Sequence, residues 1–372
     1  MNADIIVIGA GLVGSAIAYG LANHGLKPLV LDGGDRDIRA SSANFGLVWS
    51  HGKGMDMPAY QQLTRDSVGL WSDFSGELGA LTAIDLQYER KGGLALCLGE
   101  AAYEQRRTEL LRLHNQYAGP ADWEMLDRRA LTALMPDAGL GPDVIGASFG
   151  RLDGQANPLR LLTALHAGIL RKGGRLLGRS AVQTIGTDRS GCFQVAFTGG
   201  TASAARIVIA AGLASKALAA QVGMDIPIRP QRGQILVTER LAPFLPLPTI
   251  GLRQTRDGTV MIGATHEEAG LDTAATSTAA AALSAEAVRT VPALGNVRLV
   301  RQWAGLRILT PDSYPIYAES GTHPGAFVAL CHSGVTLAAV HAVQVAAAIA
   351  AGRLSSSFDV FHQRRFDVQE VA

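Results

Sequence analysis

Asp4-Ile5-Ile6-Val7-Ile8-Gly9-Ala10-Gly11-Leu12-Val13-Gly14 is the stretch from which the fold can be read. Four apolar β-branched residues make a buried parallel strand, and the small-residue run behind them opens a helix through Ile17, Ala18 and Leu21. The three glycines have different mechanical roles. Gly9 permits the tight turn, Gly11 admits a pyrophosphate to the backbone, and Gly14 lets helix pack on strand. The helix start then offers oriented N–H groups to an anion. A second apolar run, Pro28-Leu29-Val30-Leu31, ends at Asp32, eighteen residues after Gly14, where a carboxylate can take ribose hydroxyls. The order of strand, glycines, helix, strand and acid predicts a dinucleotide site.

The rest of the chain narrows the class. Its 372 residues leave room for about two domains. A hydrophobic fraction of 48%, a charged fraction of 17% and a net charge of +1 describe an ordinary globular protein, with no field favouring nucleic acid or an anionic membrane. The apolar start lacks a basic n-region and is accounted for as strand and helix, so a cytoplasmic location is expected. The alanine-rich run 335–351 is short for a membrane span and reads as a buried helix. Cys97, Cys192 and Cys331 lie far apart, which argues against disulfides, and no metal-binding spacing occurs.

Beyond Asp32, a polar loop at 33–37 precedes Ser41-Ser42-Ala43-Asn44-Phe45-Gly46-Leu47, either a contact to phosphates and ring edges or an ordinary solvent loop. Helices are expected at 58–78, 100–116, 127–134, 158–172 and 276–290, and from about Val335. Strands are expected at 86–90, 93–98, 144–149, 181–185, 192–197, 205–210, 233–238, 249–253, 259–264, 303–309, 314–317 and 327–330. The run Ile207-Val208-Ile209-Ala210-Ala211-Gly212 returns the chain to the nucleotide-binding sheet. The break in pattern predicts a nucleotide-binding domain made of 1–80, 151–222 and 301–372, with 81–150 and 223–300 forming a second domain.

Several motifs then agree in order: the glycine-rich start with Asp32, Ser41 to Gly46, Asp153-Gly154-x-x-Asn157-Pro158, Ile207 to Gly212, Arg232-Gly233-Gln234, Met261 to Thr265, Trp303 to Asp312, and Cys331 to Leu337. Together they make the chain resemble the FAD-dependent D-amino acid oxidase superfamily, in particular its glycine oxidase, sarcosine oxidase and D-amino acid dehydrogenase branches. The resemblance implies an α/β FAD-binding Rossmann-like domain, discontinuous in sequence, and an α+β substrate domain with a mixed, largely antiparallel sheet. It places Gly9, Gly11, Gly14 and Asp32 at the ADP half and Val182 at the adenine. Ser41, Ser42, Phe45, Gly46 and Leu47 fall along the pyrophosphate and flavin, Gly334, Val335 and Thr336 at the pyrimidine end, and Leu12, Val13, Gly33 and Gly212 are further expected cofactor contacts. A helix start there would favour the anion of a reduced flavin; the other reading is a helix start with no ligand.

Arg307, a fixed charge in the apolar strand Trp303-Ala304-Gly305-Leu306-Arg307-Ile308-Leu309, needs a partner. The resemblance makes that partner the substrate carboxylate, and an internal acid is the alternative. His51 and His266 match positions that look toward the active site in relatives, the alternative for each being a loop or strand histidine with no chemical role, and Arg253, on a neighbouring strand, is expected as a second anion contact. Gly305 stands near where some relatives carry a flavin-attaching cysteine, so FAD is expected to be non-covalent. Met261 stands where sarcosine-oxidase-like relatives have a lysine that assists oxygen. The expected function is oxidation of the C–N bond of a small or N-substituted amino acid, with oxygen or another electron acceptor. Three alternatives stay open: the FAD subunit of a heteromeric opine or D-hydroxyproline dehydrogenase, a nicotinamide-dependent dehydrogenase, and an FAD-stabilised assembly subunit without a substrate pocket.

Overall fold

The computed structural model describes residues 1–34, 39–117 and 119–367. The expected loop at 33–37 lies mostly outside the described residues. Strand Ile5–Ile8 sits inside a six-stranded sheet, flanked by Pro28–Leu31 and Ile207–Ile209 in parallel register. Arg175–Leu177 extends one side, and Ala326–Leu330 with its antiparallel neighbour Ile316–Glu319 extends the other.

Both faces of this sheet are covered, which explains the unbroken apolar runs in the sequence. Ile5 and Val7 pack with the helices Leu12–Asn23, Pro58–Thr82 and Pro158–Arg171. Their alternates Ile6 and Ile8 pack with a small antiparallel sheet of Val182–Thr187, Phe193–Phe197 and Gly200–Ala204. The helix starts follow local chemistry: Pro58 and Pro158 stand in first turns, and Asn157, Asp127 and Thr276 cap N-termini with side-chain oxygens.

A second unit is built from the antiparallel sheet Leu252–Gln254, Thr259–Gly263, Arg229–Arg240 and Leu299–Leu309, and from the three-stranded sheet Gly93–Leu98, Val144–Gly150 and Trp123–Asp127. They share a core of Leu94, Val144, Leu236, Ile262 and Leu283. Strand Leu299–Leu309 pairs along Arg229–Arg240, from Arg229 opposite Leu309 to Thr238 opposite Leu299. We therefore propose that this strand belongs with 223–300 rather than with the nucleotide-binding segment expected from 301.

Other elements depart from expectation for local reasons. Residues 86–90 are not a strand: Asp85 accepts the Gln87 N–H, Gln87 takes φ 53°, and only an isolated bridge from Glu89 to Gln155 remains. Strand Leu252–Gln254 begins late because Thr249 and Leu252 close a turn. Strands Trp123–Asp127, Arg175–Leu177 and Gly200–Ala204 add to those expected. The last helix is composite: turns from Gly334 lead into Ala338–Val340, a π-type turn His341–Val345, and Ala346–Ala350. Among the described residues, no helix is long and apolar enough to cross a membrane.

The helix Leu12–Asn23 meets that last segment at Gly20, where a Cβ would lie 2.0 Å from the Ala342 carbonyl oxygen and 2.4 Å from the Ala346 Cβ. Gly20→Val is expected to destabilise the protein by about 1–3 kcal/mol through overpacking. A urea-unfolding midpoint equal to that of the parent protein would show that this seam has slack.

Candidate active site and cofactor cleft

A cleft of about 430 Å³ lies over the carboxyl ends of the parallel strands, lined by Gly9, Gly11, Leu12, Val13, Asp32, Gly33, Ser41, Val182, Gly212 and Gly334. Its shape depends on backbone approach. Gly9 has φ +107°, and a Cβ there would lie 2.4 Å from the Ala210 oxygen. One on Gly14 would lie 2.0 Å from the Gly9 oxygen. Gly11 is the N-cap of its helix and brings no side-chain cap, so the amides of the first turn open on the cleft apart from Leu12 N–H, which donates to Ser41 Oγ at 2.9 Å. Asp32 is fixed by the amides of Ala10 and Gly34, both at 2.8 Å, with the Arg39 guanidinium 3.5 Å away. Ser42 is exposed and off the cleft wall.

A second cleft, of about 630 Å³, continues from the first and shares Ala40, Asn44, Leu306, Ile308 and His332 with it. Phe45, Leu47, Gly305, Arg307, His266, Val335 and Thr336 line it, while Gly46 lies behind the wall against the Ala156 oxygen. The first helical hydrogen bond there runs from Leu337 N–H to Ser333 O at 3.0 Å, so the amides of Gly334, Val335 and Thr336 precede it. A groove with glycines, an open helix start and a ribose-height carboxylate at one end, joined to a wider chamber, fits an FAD molecule. Gly305 is on the chamber wall, and the Cys331 thiol is pushed up to about 12 by burial, so it stays protonated and poorly nucleophilic. Both observations favour non-covalent binding.

Arg307 donates from Nη1 to the Thr265 oxygen at 2.8 Å and the Arg232 oxygen at 3.4 Å, and has no carboxylate partner among the described residues. Burial alone lowers its pKa. It crosses Gly233, where a Cβ would lie 2.6 Å from Nη1. Ion-paired arginines do occur in this sheet: Arg232 is held by Glu267 at 2.8 Å and Asp272 at 2.5 Å, and Arg229 by Glu268 at 2.5 Å. The internal-acid alternative for Arg307 is therefore not what the structure shows.

The other candidates separate. His266 lines the chamber, bonds Gln231 at 3.1 Å, and has its pKa lowered by burial and by Arg307. His51 reaches the chamber wall, but both ring nitrogens are engaged, Nδ1 with Asp153 and Nε2 with Ser148 Oγ at 2.9 Å. Its place as a direct substrate contact is corrected accordingly. Arg253 is also corrected: it lies off both cleft walls, 6% exposed, below the Phe45 ring and with Nη2 2.9 Å from the sulfur of its cross-strand neighbour Met261. Burial lowers its pKa to about 10.

Among the cleft residues not legible in the sequence is Lys53. Its Nζ donates to Ser333 Oγ at 2.8 Å, and Tyr60 O–H, which lines neither cleft, reaches the same oxygen at 3.0 Å. Burial lowers the Lys53 pKa to about 8, and burial with nearby cations lowers that of His332 to about 3, keeping it neutral. The local signal was the flanking pair Gly52 and Gly54, both at positive φ.

The profile of the family described as FAD dependent oxidoreductase matches residues 4–348, and the chain belongs to that family. It is 40% identical to a subunit of the opine oxidase of Rhizobium meliloti over 369 residues, covering 99% of each chain. Its identity to the corresponding opine oxidase subunit of Agrobacterium tumefaciens strain Ach5 is 41%, again over 99% of each. The solved glycine oxidase of Geobacillus kaustophilus superposes with a TM-score of 0.89 at 25% identity, over 98% of this chain and 99% of that one. The fold is thus that of glycine oxidase, and FAD rather than a nicotinamide nucleotide is the family's cofactor.

Lys53 gives the site a pH signature. Unfolded, it keeps its proton to about its ordinary 10.5; folded, it keeps it only to about 8. Between these values the unfolded chain binds more protons, so this group adds stability as pH rises through the window. The stability of the parent protein relative to Lys53→Met is expected to increase from pH 8 to 10.5 in urea titrations of the apoprotein. A flat difference would mean that Lys53 is solvated.

Proposed function

We propose that the chain is the FAD-bearing subunit of a heteromeric enzyme that oxidises the C–N bond of an N-substituted amino acid of the opine type. The observation that carries this reading is Arg307, a desolvated guanidinium without an acidic partner among the described residues, in the chamber that continues the dinucleotide groove. A planar fork of donors in that setting suits a carboxylate held bidentately. Bound FAD supplies the hydride acceptor.

The protein's part is placement and electrostatics. Arg307 fixes the carboxylate and hence the carbon beside the amine, and the apolar wall around Leu306 and Ile308 excludes water. The substrate loses two electrons and becomes an imine, which water cleaves to an oxo acid and an amine. An amine that enters unprotonated needs no protein base, and no catalytic dyad is assigned. An assembly subunit without a substrate would have no use for an unpaired Arg307.

Two observations support transfer to a partner rather than directly to oxygen. The match to the opine oxidase subunit of Rhizobium meliloti extends over 99% of both chains. Met261 offers no cation where some relatives place the oxygen-assisting lysine, and its sulfur is turned to Arg253. A small amino acid such as glycine is the second reading, favoured by the glycine oxidase fold.

Anaerobic titration of the holoprotein with opines, D-hydroxyproline, sarcosine, glycine and D-amino acids tests both readings by bleaching of the flavin. Slow recolouring in air, with fast recolouring by an artificial dye, supports a partner as acceptor; fast recolouring in air overturns it. Removal of a buried carboxylate partner costs about 2–5 kcal/mol, and 1.4 kcal/mol is about tenfold. Arg307→Ala is therefore expected to raise the half-bleaching concentration at least about thirtyfold. An unchanged value would remove Arg307 from the substrate.

A further inference from the structure

The chamber that holds Arg307 contains a second guanidinium. Arg106, on the charged helix Glu100–Asn115, lines the same wall, and its Nη2 is buried with no hydrogen-bond partner among the described residues. We propose that Arg106 is a second carboxylate anchor, so that the chamber selects a secondary amine bearing one carboxylate on each of its two nitrogen substituents. This inference rests on the C–N oxidation proposed above and adds a specificity-determining residue to it.

Three observations carry the assignment. The first is the device that holds the side chain. Arg106 Nε donates to Ser148 Oγ at 2.9 Å, and Ser148 Oγ meets His51 Nε2 at 2.9 Å. His51 Nδ1 meets Asp153 Oδ2, while Asp153 Oδ1 accepts the Ser50 amide at 2.6 Å, the Ser50 hydroxyl at 3.1 Å and the His51 amide at 3.3 Å. Assigned from these contacts, His51 donates from Nδ1 to Asp153, its Nε2 accepts the Ser148 hydroxyl proton, and Ser148 Oγ accepts from Arg106. The Ser–His–Asp connectivity is that of a nucleophile triad, but Ser148 and Asp153 are wholly buried and the serine oxygen is already occupied by a guanidinium N–H. Asp153, His51 and Ser148 are positioning residues, and what they position is Arg106.

The second observation is space. A Cβ on Gly52, which has φ +84°, would lie 2.7 Å from Arg106 Nη2 and 2.8 Å from Nη1. Gly233 lies beneath Arg307 in the same way, 2.6 Å from Nη1. Both guanidiniums cross the chain where a side chain is missing, which leaves their planes open to a ligand.

The third is charge. Burial lowers the Arg106 pKa, and its nearest acid, Glu109, is 3.7 Å from Nη1 and 40% exposed. The chamber's own acid, Glu286, is exposed. Neither neutralises the inner cation as a directly paired buried carboxylate would, and the attraction of the wholly buried Asp153, which reaches Arg106 only across His51 and Ser148, does not overcome the effect of burial. With an apolar wall of Leu96, Ile250 and Leu283 nearby, an entering carboxylate meets Arg106 in a desolvated setting.

Calorimetry on the holoprotein tests the anchor without turnover. Glutarate and pentanoate have the same chain length and differ by a carboxylate in place of a methyl group. The parent protein is expected to bind glutarate at least about tenfold more tightly, in line with one charge-assisted hydrogen-bonded pair, and Arg106→Gln is expected to abolish the preference. If Arg106→Gln loses its flavin, Gly52→Ala, which displaces the guanidinium, is expected to abolish it in its place. Equal binding of the two acids by the parent protein, or a preference that survives these changes, overturns the second anchor. Failure of every amine to bleach the flavin, with the glutarate preference intact, instead overturns the proposed reaction and leaves the anchor standing.

Discussion

The structure depends on one close approach of backbone to backbone. Strand Ile5–Ile8 ends where Gly9 lies against Ala210 and the following helix is drawn onto Gly9 at Gly14, at separations that no side chain permits. Because the helix starts this close to the strand ends, its first amides, the Asp32 carboxylate and the Ala210-Ala211-Gly212 turn open on one groove. The composite last helix packs on the same first helix at Gly20 and brings Gly334, Val335 and Thr336 to the far end of that cavity. Cofactor cleft and core thus come from one set of contacts, and a side chain at Gly9 or Gly14 would disturb both.

A second sheet provides the chamber by a different economy of atoms. Gly233 and Gly305 are direct cross-strand partners in the pairing of Arg229–Arg240 with Leu299–Leu309, which leaves a bare patch on the sheet. Arg307 sits two residues beyond Gly305 and reaches diagonally across that patch, the distance at which cross-strand neighbours still meet. Its hydrogen bonds to carbonyl oxygens hold the fork in place without discharging it. Arg106 reaches the same chamber from a helix in another part of the chain and is braced by a buried side-chain network.

The glycine-rich start and Asp32 were legible because their mechanics are local: a turn, an approach and a carboxylate at a set distance in sequence. Arg307 stood out as a candidate because a charge inside an apolar strand calls for an explanation. What could not be read is what sequence distance hides. Arg106 and Lys53 sit in a charged helix and a polar loop, where charge is ordinary, and their burial comes from elements far away. Arg253 was misplaced by the two-residue period of a strand: its neighbour Leu252 lines the chamber while Arg253 points away. Residues 86–90 alternate like a strand, yet the Asp85 cap and the positive φ of Gln87 end the extended run. Whether Leu299–Leu309 joins one sheet or the other is a tertiary fact that its apolar pattern fits equally well.

The concentration of cations in the chamber bears on the chemistry as well as on recognition. The whole chain carries a net charge of only +1, yet Lys53, Arg106 and Arg307 line one cavity, and burial lowers the pKa of each. The buried Asp153 attracts Lys53 and Arg106 without pairing directly with either, and a desolvated cation without a directly paired counter-ion is a standing cost, which an anion that binds only the folded state offsets. In the proposed function, carboxylates are drawn in for that reason. An ammonium group brought in with them meets like charge in a poorly hydrated space, which favours its neutral form. A neutral amine is the form from which the C–H bond can be oxidised without a protein base. The field proposed to capture the acid end of the substrate would therefore also help to set the protonation state of its nitrogen.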